Sequence, residues 1–166
     1  MIEVEITEGI LEKAKRKACA MGKIKNSITH GQGNIAGFIG EEIVNTFIGG
    51  KINNTYDYDI VKDEVKIDVK TKRCTSRPKE YYECSIAKLS THQKCDRYIF
   101  VRVLWNKSRP NEWKKAWILG QMDKKEYLKK ARFLKKGEVD KSNNFTVKAD
   151  CYNLKISDLY PVECLT

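Results

Sequence analysis

Two apolar-alternating runs on either side of an Asp-Glu dipeptide constrain the fold of this chain more than any other feature. Residues 56–61 and 65–71 both have the composition of β-strands, and only a few residues separate them. So short a connection forces the two strands to pair antiparallel as a hairpin. The turn is then either Asp63-Glu64 or, because that dipeptide lacks the glycine such turns prefer, a four-residue loop, 62–65, with the same register.

This register gathers charged side chains on one face of the hairpin. Alternate residues of a strand share a face, so Asp68 and Lys70 point one way while Ile67 and Val69 point the other. Pairing about the turn sets Asp59 opposite Asp68, with Cβ atoms roughly 4.5–5.5 Å apart. Two carboxylates that close repel each other unless a cation lies between them. The alternative is an exposed hairpin edge on which Lys70 forms an ordinary ion pair.

The chemistry of such a cluster suits phosphodiester hydrolysis. Mg²⁺ prefers oxygen ligands and typically binds one or two carboxylates together with waters and phosphate oxygens. A lysine one step along the strand can orient the attacking water or stabilise charge in the transition state. Acid-x-Lys by itself carries little information, since it occurs four times in this lysine-rich chain. Only Asp68/Lys70 lies in an alternating strand with a second acid opposite.

The remaining pattern predicts helices before the hairpin and a sheet after it. Thr7 can cap a helix that ends near Met21 with Gly22 as its stop, and a second helix runs from about Asn34 to Gly49-Gly50. Later elements are a strand at 81–87, a short helix at 88–95, strands at 97–105 and 116–120, a helix at 123–134, and short strands at 144–148 and 151–156. This order predicts an α/β fold with a central mixed β-sheet flanked by helices.

Composition excludes several classes of protein. A chain of 166 residues with 41% hydrophobic residues suits one domain with a real core. No apolar run approaches the roughly 18 residues of a membrane span, and the first residues lack the pattern of a secretory signal. The six cysteines include no Cys-x-x-Cys pair, so we expect reduced thiols in the cytoplasm rather than a zinc site or disulfides.

The charge of the chain predicts a polyanionic partner. Lys and Arg number 32 against 22 Asp and Glu, which gives a net charge of +10. Nucleic acid is the first candidate and an anionic membrane surface the second. Segments 13–25 and 66–79 are the most basic, although an AT-rich genome would also enrich lysine.

The hairpin and the helix before it together resemble the PD-(D/E)xK nuclease superfamily. The family pattern places an acid in a first strand and acid-x-Lys in the next, after a helix that often contributes a Glu. Asp59 takes the first position, with Tyr58 where the pattern has Pro, and Asp68-Val69-Lys70 takes the second. The helix is similar to the Gly-x-x-x-Glu pattern of archaeal-type Holliday junction resolvases, with Glu41 in the acid position. Glu42 is the alternative, because helical periodicity does not separate the two.

The resemblance implies a Mg²⁺-dependent DNA endonuclease, with Mn²⁺ as an alternative metal. It implies a restriction-endonuclease-like core over about 34–105 of a single domain, 1–166, and a C-terminal extension over about 106–166. The implied catalytic residues are Glu41, Asp59, Asp68 and Lys70, and the implied metal ligands are Asp59, Asp68 and the Val69 carbonyl. The expected DNA contacts are Lys72, Arg73, Arg77, Lys79, Gln93 and Lys94, and segment 13–25 is also expected to hold the phosphate backbone.

The same resemblance implies branched or duplex DNA as the partner and a homodimer that cuts two strands, with no membrane involved. We expect a cytoplasmic location, which includes a protein encoded by a virus or a mobile element. Three alternatives stay open: a sequence-specific restriction or nicking endonuclease, a catalytically inactive nucleic-acid-binding protein on the same fold, and a basic structural or assembly protein. The last predicts that replacing Asp59 or Asp68 changes nothing except stability.

Overall fold

A computed structural model describes residues 1–21, 32–53 and 55–163 of the chain as a mixed α/β structure. The helices are α1 (Glu8–Met21), α2 (Gln32–Ile48) and α3 (Lys124–Lys130). The strands are β1 (Ile2–Glu5), β2 (Lys51–Ile52), β3 (Ile60–Lys62), β4 (Val65–Cys74), β5 (Glu83–Ala87), β6 (Arg97–Leu104), β7 (Lys115–Asp123), β8 (Arg132–Leu134), β9 (Val139–Asp140), β10 (Phe145–Thr146) and β11 (Cys151–Lys155). No helix in these ranges has the length and apolar character needed to cross a membrane.

The central sheet has six strands in the order β2-β3-β4-β6-β7-β1. Its middle pair, β4 and β6, is parallel, and every other pair is antiparallel. Parallel neighbours need a crossover connection, and here the chain makes it through β5 and a 3₁₀ turn, Lys88–His92. Strand β6 is buried along most of its length because both faces of the sheet are covered.

Helices α1 and α2 cover one face of this sheet. Ile39 and Ile43 of α2 are almost fully buried against Val69, Ile99 and other apolar residues of β4, β6 and β7. The i, i+4 spacing of the helical pair aligns their side chains on one stripe, which is why the apolar periodicity predicts this helix correctly. This packing sets the position of α2 above β4.

The opposite face carries a small sheet, β5-β11-β8, together with α3. The buried Tyr127 of α3 ties these elements together, since its hydroxyl donates to the carbonyls of Cys84 and Tyr152 at 2.9 and 2.8 Å. Its ring packs edge-on against Tyr98 of β6, with centroids 5.5 Å apart. The predicted strand at 81–87 therefore exists as β5, but it lies in this second layer rather than beside β4.

The hairpin has the predicted register. Lys62 pairs with Val65 and Ile60 with Ile67, so the turn is the dipeptide Asp63-Glu64 and the four-residue loop alternative is wrong. Asp63 and Glu64 adopt φ values of 48° and 66°, the left-handed conformation that a two-residue turn of this type requires. The first strand is shorter than predicted, because residues 56–59 approach the sheet as a loop.

The helix boundaries follow their capping residues. Thr7 Oγ1 accepts the Ile10 amide at 3.3 Å at the start of α1, and Gly49, with φ 65°, follows the end of α2. Gly22 lies outside the described residues. The predicted helix at 123–134 is too long, because the chain turns extended at Ala131 and continues as β8, which pairs with β11.

Residues after 106 also enter the central sheet, where β7 lies between β6 and β1. The cysteines with free thiols are Cys19, Cys74, Cys84, Cys95 and Cys151, and Cys164 lies outside the described residues.

Candidate active site

Four of the predicted site residues converge where β3 begins beside β4. Asp68 and Lys70 lie in β4, with Lys70 Nζ 2.7 Å from Asp68 Oδ2. Asp59 lies just before β3, and its Oδ2 accepts the Val69 amide at 2.7 Å. Glu41 reaches the same place from α2, close enough for its charge to act on Asp59. Three separate parts of the chain therefore supply one cluster.

The unequal lengths of two strands create this site. Strand β3 has three residues and β4 has ten, so beyond Ile67 the outer edge of β4 has no strand partner among the described residues. The Asp59 side chain takes the place of the missing strand by accepting the Val69 amide. Because the amide and carbonyl of one strand residue point to the same side, the Val69 carbonyl opens toward Asp59 as well.

Gly40 determines how closely α2 approaches β4. A Cβ atom at this position would lie 1.9 Å from Thr71 Oγ1, far inside contact distance, so only glycine fits. The close approach places the next residue, Glu41, above the open edge of β4. Only the packed structure shows what this glycine is for.

The structure separates the two helix acids that the sequence leaves open. Glu42 is 5% exposed and faces α1, where its Oε1 lies 2.8 Å from Lys17 Nζ. Glu41 faces the carboxylate cluster, and Lys17 Nζ lies 3.6 Å from its Oε2. Glu41 is therefore the helix acid that lies at the carboxylate cluster.

The same contacts give one residue of the basic segment 13–25 a structural partner. Lys17 is largely buried and pairs with both helix acids, so its ammonium is not available to a phosphate backbone. Sequence reasoning missed this role, since it depends on how α1 packs against α2. Residues 22–25 of the segment lie outside the described residues.

Burial and mutual repulsion raise the pKa values of two acids in the cluster. Burial, opposed by Lys17 and assisted by the charges of Glu42 and Asp68, raises the pKa of Glu41 to about 7. Burial likewise raises the pKa of Asp59 well above its ordinary range, with Glu41 and Asp68 as the next causes. A cation at this place would relieve the repulsion and favour the ionised carboxylates.

Gln93 lies next to the carboxylate cluster and contacts Lys70. Its Oε1 accepts Lys70 Nζ at 3.0 Å, and its Nε2 donates to the Tyr56 carbonyl at 2.6 Å. The neighbouring Lys94 amide donates to Asp57 Oδ1 at 3.0 Å, which fixes this segment against the loop before β3. Lys124 Nζ also donates to the Gln93 carbonyl.

These contacts hold the Lys70 ammonium between an amide oxygen and a carboxylate. The positioning residues Tyr56, Asp57 and Lys124 were not predicted, because their contacts join parts of the chain that are distant in sequence.

The other predicted DNA contacts are dispersed. Lys72 is exposed on the same face of β4 as Lys70, whereas the Arg73 guanidinium points to the other face and stacks on Trp105 at 4.4 Å from the ring centroid. Arg77 Nη1 lies 3.8 Å from Glu3 Oε2, and the Lys79 ammonium lies 5.7 Å from the ring centre of Tyr81. Of these residues, Lys72 lies nearest along the chain to the carboxylate cluster.

The donor atoms of the cluster fit a hard divalent cation. Asp68 Oδ2 is buried and accepts no well-aligned hydrogen bond, although Lys70 is close. Across 1–21, 32–53 and 55–163, no three His, Cys, Asp or Glu side chains lie close enough together to hold a metal ion as they stand. The oxygen atoms that the site offers are those of Asp59, Asp68 and the Val69 carbonyl, and oxygen is the ligand atom that Mg²⁺ prefers.

The sequence matches no protein-family model and no curated protein. The functional conclusion for this chain therefore comes from the geometry and chemistry of the site.

Proposed function

We propose that this protein is a Mg²⁺-dependent DNA endonuclease built on a restriction-endonuclease-like core. The observation that carries the proposal is the convergence of Glu41, Asp59, Asp68 and Lys70 at the open edge of β4. An exposed hairpin edge would not bury Asp68 to 3% exposure or raise the pKa of Asp59. Buried acids beside a fixed lysine are instead typical of a catalytic site.

In this proposal Asp59, Asp68 and the Val69 carbonyl hold the metal. Bound Mg²⁺ supplies Lewis acidity at a phosphate oxygen and a water of lowered pKa. Lys70, held by Asp68 and Gln93, orients the attacking water and stabilises negative charge at the phosphate. Glu41 completes the acidic site, directly or through a water, and Lys17 limits how far the pKa of Glu41 rises.

The topology around the site supports the restriction-endonuclease-like core. A helix, α2, precedes a hairpin, β3 and β4, and β4 pairs in parallel with β6 after a crossover. The site lies at the edge of the sheet where β3 and β4 separate. The net charge of +10 supports a nucleic-acid substrate.

Branched DNA is the favoured substrate within this proposal, because the α2 sequence is similar to that of junction resolvases. A homodimer would bring two such sites to two strands of a junction. A sequence-specific restriction or nicking endonuclease is the second candidate, since it would use the same site on duplex DNA.

The test is cleavage of labelled four-way junction, duplex and single-stranded DNA in Mg²⁺ or in EDTA. Asp68→Asn keeps the side-chain shape and removes the charge, and we expect it to slow cleavage more than about 100-fold. Asp63→Asn is the matched control, because it is the same change in the same hairpin at an exposed turn residue with φ 48°. We expect Asp63→Asn to cut at the wild-type rate.

The other outcomes distinguish the alternatives. Metal-dependent cutting that prefers the junction identifies a resolvase, and cutting at defined duplex sequences identifies a restriction or nicking enzyme. DNA binding without cutting identifies an inactive binding protein on this fold. Neither binding nor cutting at low salt refutes the nucleic-acid function and leaves the basic structural protein.

A further inference from the structure

A concave site lies on the other side of the central sheet from α1 and α2. It is a cavity of about 790 Å³ between β4 and β6 on one side, β5 and β11 on another, and the β9–β10 hairpin. Small-ligand sites usually measure about 300–1,000 Å³, so this cavity is large enough for a nucleotide. Glu41, Asp59, Asp68 and Lys70 are not among its lining residues.

Positive charge predominates on the cavity wall. Its basic side chains are those of Lys72, Arg102, Lys148 and Lys155, and its acidic ones are Glu83 and Asp140. Lys72 and Arg102 are directly opposed in the parallel pairing of β4 and β6. Like charges directly opposite each other destabilise a sheet unless an anion lies nearby.

Arg102 is a buried cation without a carboxylate partner. It is 8% exposed, and its Nη2 donates to the Glu83 carbonyl at 2.7 Å. In the part of the chain that the structure describes, Arg102 forms no ion pair. A buried charge that lacks a counter-ion is costly, so an anionic ligand at this point would stabilise the fold.

The acids of the cavity are already paired with a different residue. Arg132 Nη2 lies 2.5 Å from Glu83 Oε1 and 3.1 Å from Asp140 Oδ2. Asn153 also donates to Glu83 Oε2 at 3.0 Å. The cations that remain for a ligand are therefore Lys72, Arg102, Lys148 and Lys155, of which Lys72 and Arg102 lie opposite each other.

Aromatic rings line the same cavity. Tyr82 is half-buried on the cavity wall, and Phe145 in β10 lies on the same wall with 52% of its surface exposed. An exposed phenyl ring beside a basic cavity offers a surface on which a nucleic-acid base can stack. The side chains of Ser85 and Asn153 supply polar atoms on the same wall.

We propose that this cavity binds one nucleotide unit, with its phosphate at Lys72 and Arg102 and its base against Tyr82 and Phe145. The shared chemistry is a phosphate ester that carries a planar base, and the source is either a free nucleotide or one residue of a DNA strand. The strand source rests on the proposed nuclease function. Lys72 follows Lys70 by two residues on one face of β4, about 6.6 Å at the usual strand rise, so a strand at the carboxylate site would bring its next nucleotide to the cavity.

The test measures binding by the full chain in EDTA, where metal-dependent cutting cannot occur. The probes are dAMP, inorganic phosphate and a short single-stranded oligonucleotide. Their binding is measured by calorimetry or fluorescence polarisation. The variants are Lys72→Met and Phe145→Ala, both at exposed positions, and the control is Lys107→Met, an exposed lysine outside the cavity. We expect each cavity variant to weaken binding of dAMP or the oligonucleotide about ten-fold, and the control to change it less than about two-fold.

The outcomes distinguish a free nucleotide from a DNA strand as the ligand, and they distinguish failure of this proposal from failure of the proposed nuclease function. Binding of dAMP that both cavity variants weaken assigns the site to free nucleotides, and the same losses with the oligonucleotide alone assign it to a strand. The proposal is overturned if neither cavity variant weakens binding more than Lys107→Met does, or if phosphate binds as tightly as dAMP. Because no cleavage occurs in EDTA, a failure of nucleotide binding does not affect the conclusion from Asp68→Asn cleavage. A failure of cleavage likewise does not affect the conclusion about nucleotide binding.

Discussion

Two neighbouring glutamates in α2 have different properties because their side chains have different surroundings. Glu42 is neutralised by Lys17 and contributes to the contact between α1 and α2. Glu41 lies one residue earlier, and its burial near Asp68 raises the pKa of its carboxyl to about 7. Glu42 stabilises the fold, whereas Glu41 is a strained acid whose ionised form a bound cation would favour.

This difference predicts how the contribution of Glu41 to the stability of the protein depends on pH. A carboxyl whose folded pKa is raised contributes most stability below its unfolded pKa, about 4.5, and loses that contribution as pH rises through about 7. We expect Glu41→Gln to raise the free energy of unfolding by about 2 kcal/mol at pH 8 and to change it little at pH 4.5. Urea unfolding in EDTA at the two pH values measures this.

Glu42→Gln is the control for that measurement. It removes the closest partner of the largely buried Lys17, so we expect lower stability at pH 8. If Glu41→Gln also lowered stability at pH 8, Glu41 would be an ordinary ion-pair partner and not a strained acid of the site.

Among the elements, the contact between α2 and β4 is the one on which the site depends. The helix lies against the strand at Gly40, where the missing side chain makes room for Thr71. A small movement of α2 away from the sheet would carry Glu41 away from Asp59. The geometry of the acidic cluster therefore depends on one glycine in a helix.

Two alanine substitutions in α2 test this contact. Gly40→Ala forces Thr71 or the helix to move, and we expect it to destabilise the protein by roughly 1–3 kcal/mol and to lower cleavage. Gly37→Ala is the control in the same helix, since a Cβ at Gly37 has no atom within 4 Å. It should stabilise the protein by up to about 1 kcal/mol through helix propensity, as chemical denaturation of both variants would show. Equal effects of the two changes would contradict the close-contact role of Gly40.

Local spacing predicts the elements whose geometry is set within a few residues. The register that pairs Ile60 with Ile67, next to Asp59 and Asp68, follows from a two-residue turn, and the start of α1 follows from Thr7. Long-range pairing decides the rest. The choice between Glu41 and Glu42 needs the docking of α2, and the contact of Gln93 with Lys70 joins residues that only the fold brings together.

The same limit explains the errors in secondary structure. Helix α3 ends at Lys130 although the apolar pattern continues to Leu134, because the following residues pair with β11. Arg132 also holds Glu83 and Asp140 from that extended position. Tertiary contacts of this kind override helix propensity, and no local pattern in the sequence reveals them.

At the scale of the whole molecule, the excess positive charge is spread unevenly over the described surface. Arg77 and Arg97 lie close to acids, at 3.8 and 2.8 Å, which reduces their effect on a distant anion. Lys72 lies along β4 from the carboxylate cluster and has no ion pair in the described ranges. The positive charge free to attract DNA is therefore smaller than the net charge suggests. Part of it lies on the face of the sheet that carries the site.

This distribution predicts a moderate salt dependence of DNA binding. If about three phosphates are neutralised, affinity in EDTA should fall by roughly 10- to 100-fold between about 50 and 200 mM salt. Asp68→Asn should bind DNA at least as tightly as the wild type, because it removes a negative charge next to the bound phosphate. Fluorescence polarisation across a salt series measures both. Affinity that does not change with salt would contradict an electrostatic interface.

The pairing of β1 with β7 has a consequence for how the chain folds. Ile2 lies opposite Ile118, and Glu3 Oε2 accepts the Trp117 indole N–H at 3.0 Å. Strand β1 is synthesised before β7 and can pair only after β7 has been made. Closing the long loop between them is slow because it costs conformational entropy. Until then the backbone of β7 has an unpaired edge that another copy of the chain can occupy. The first few residues thus protect the nearly finished sheet from association with other chains.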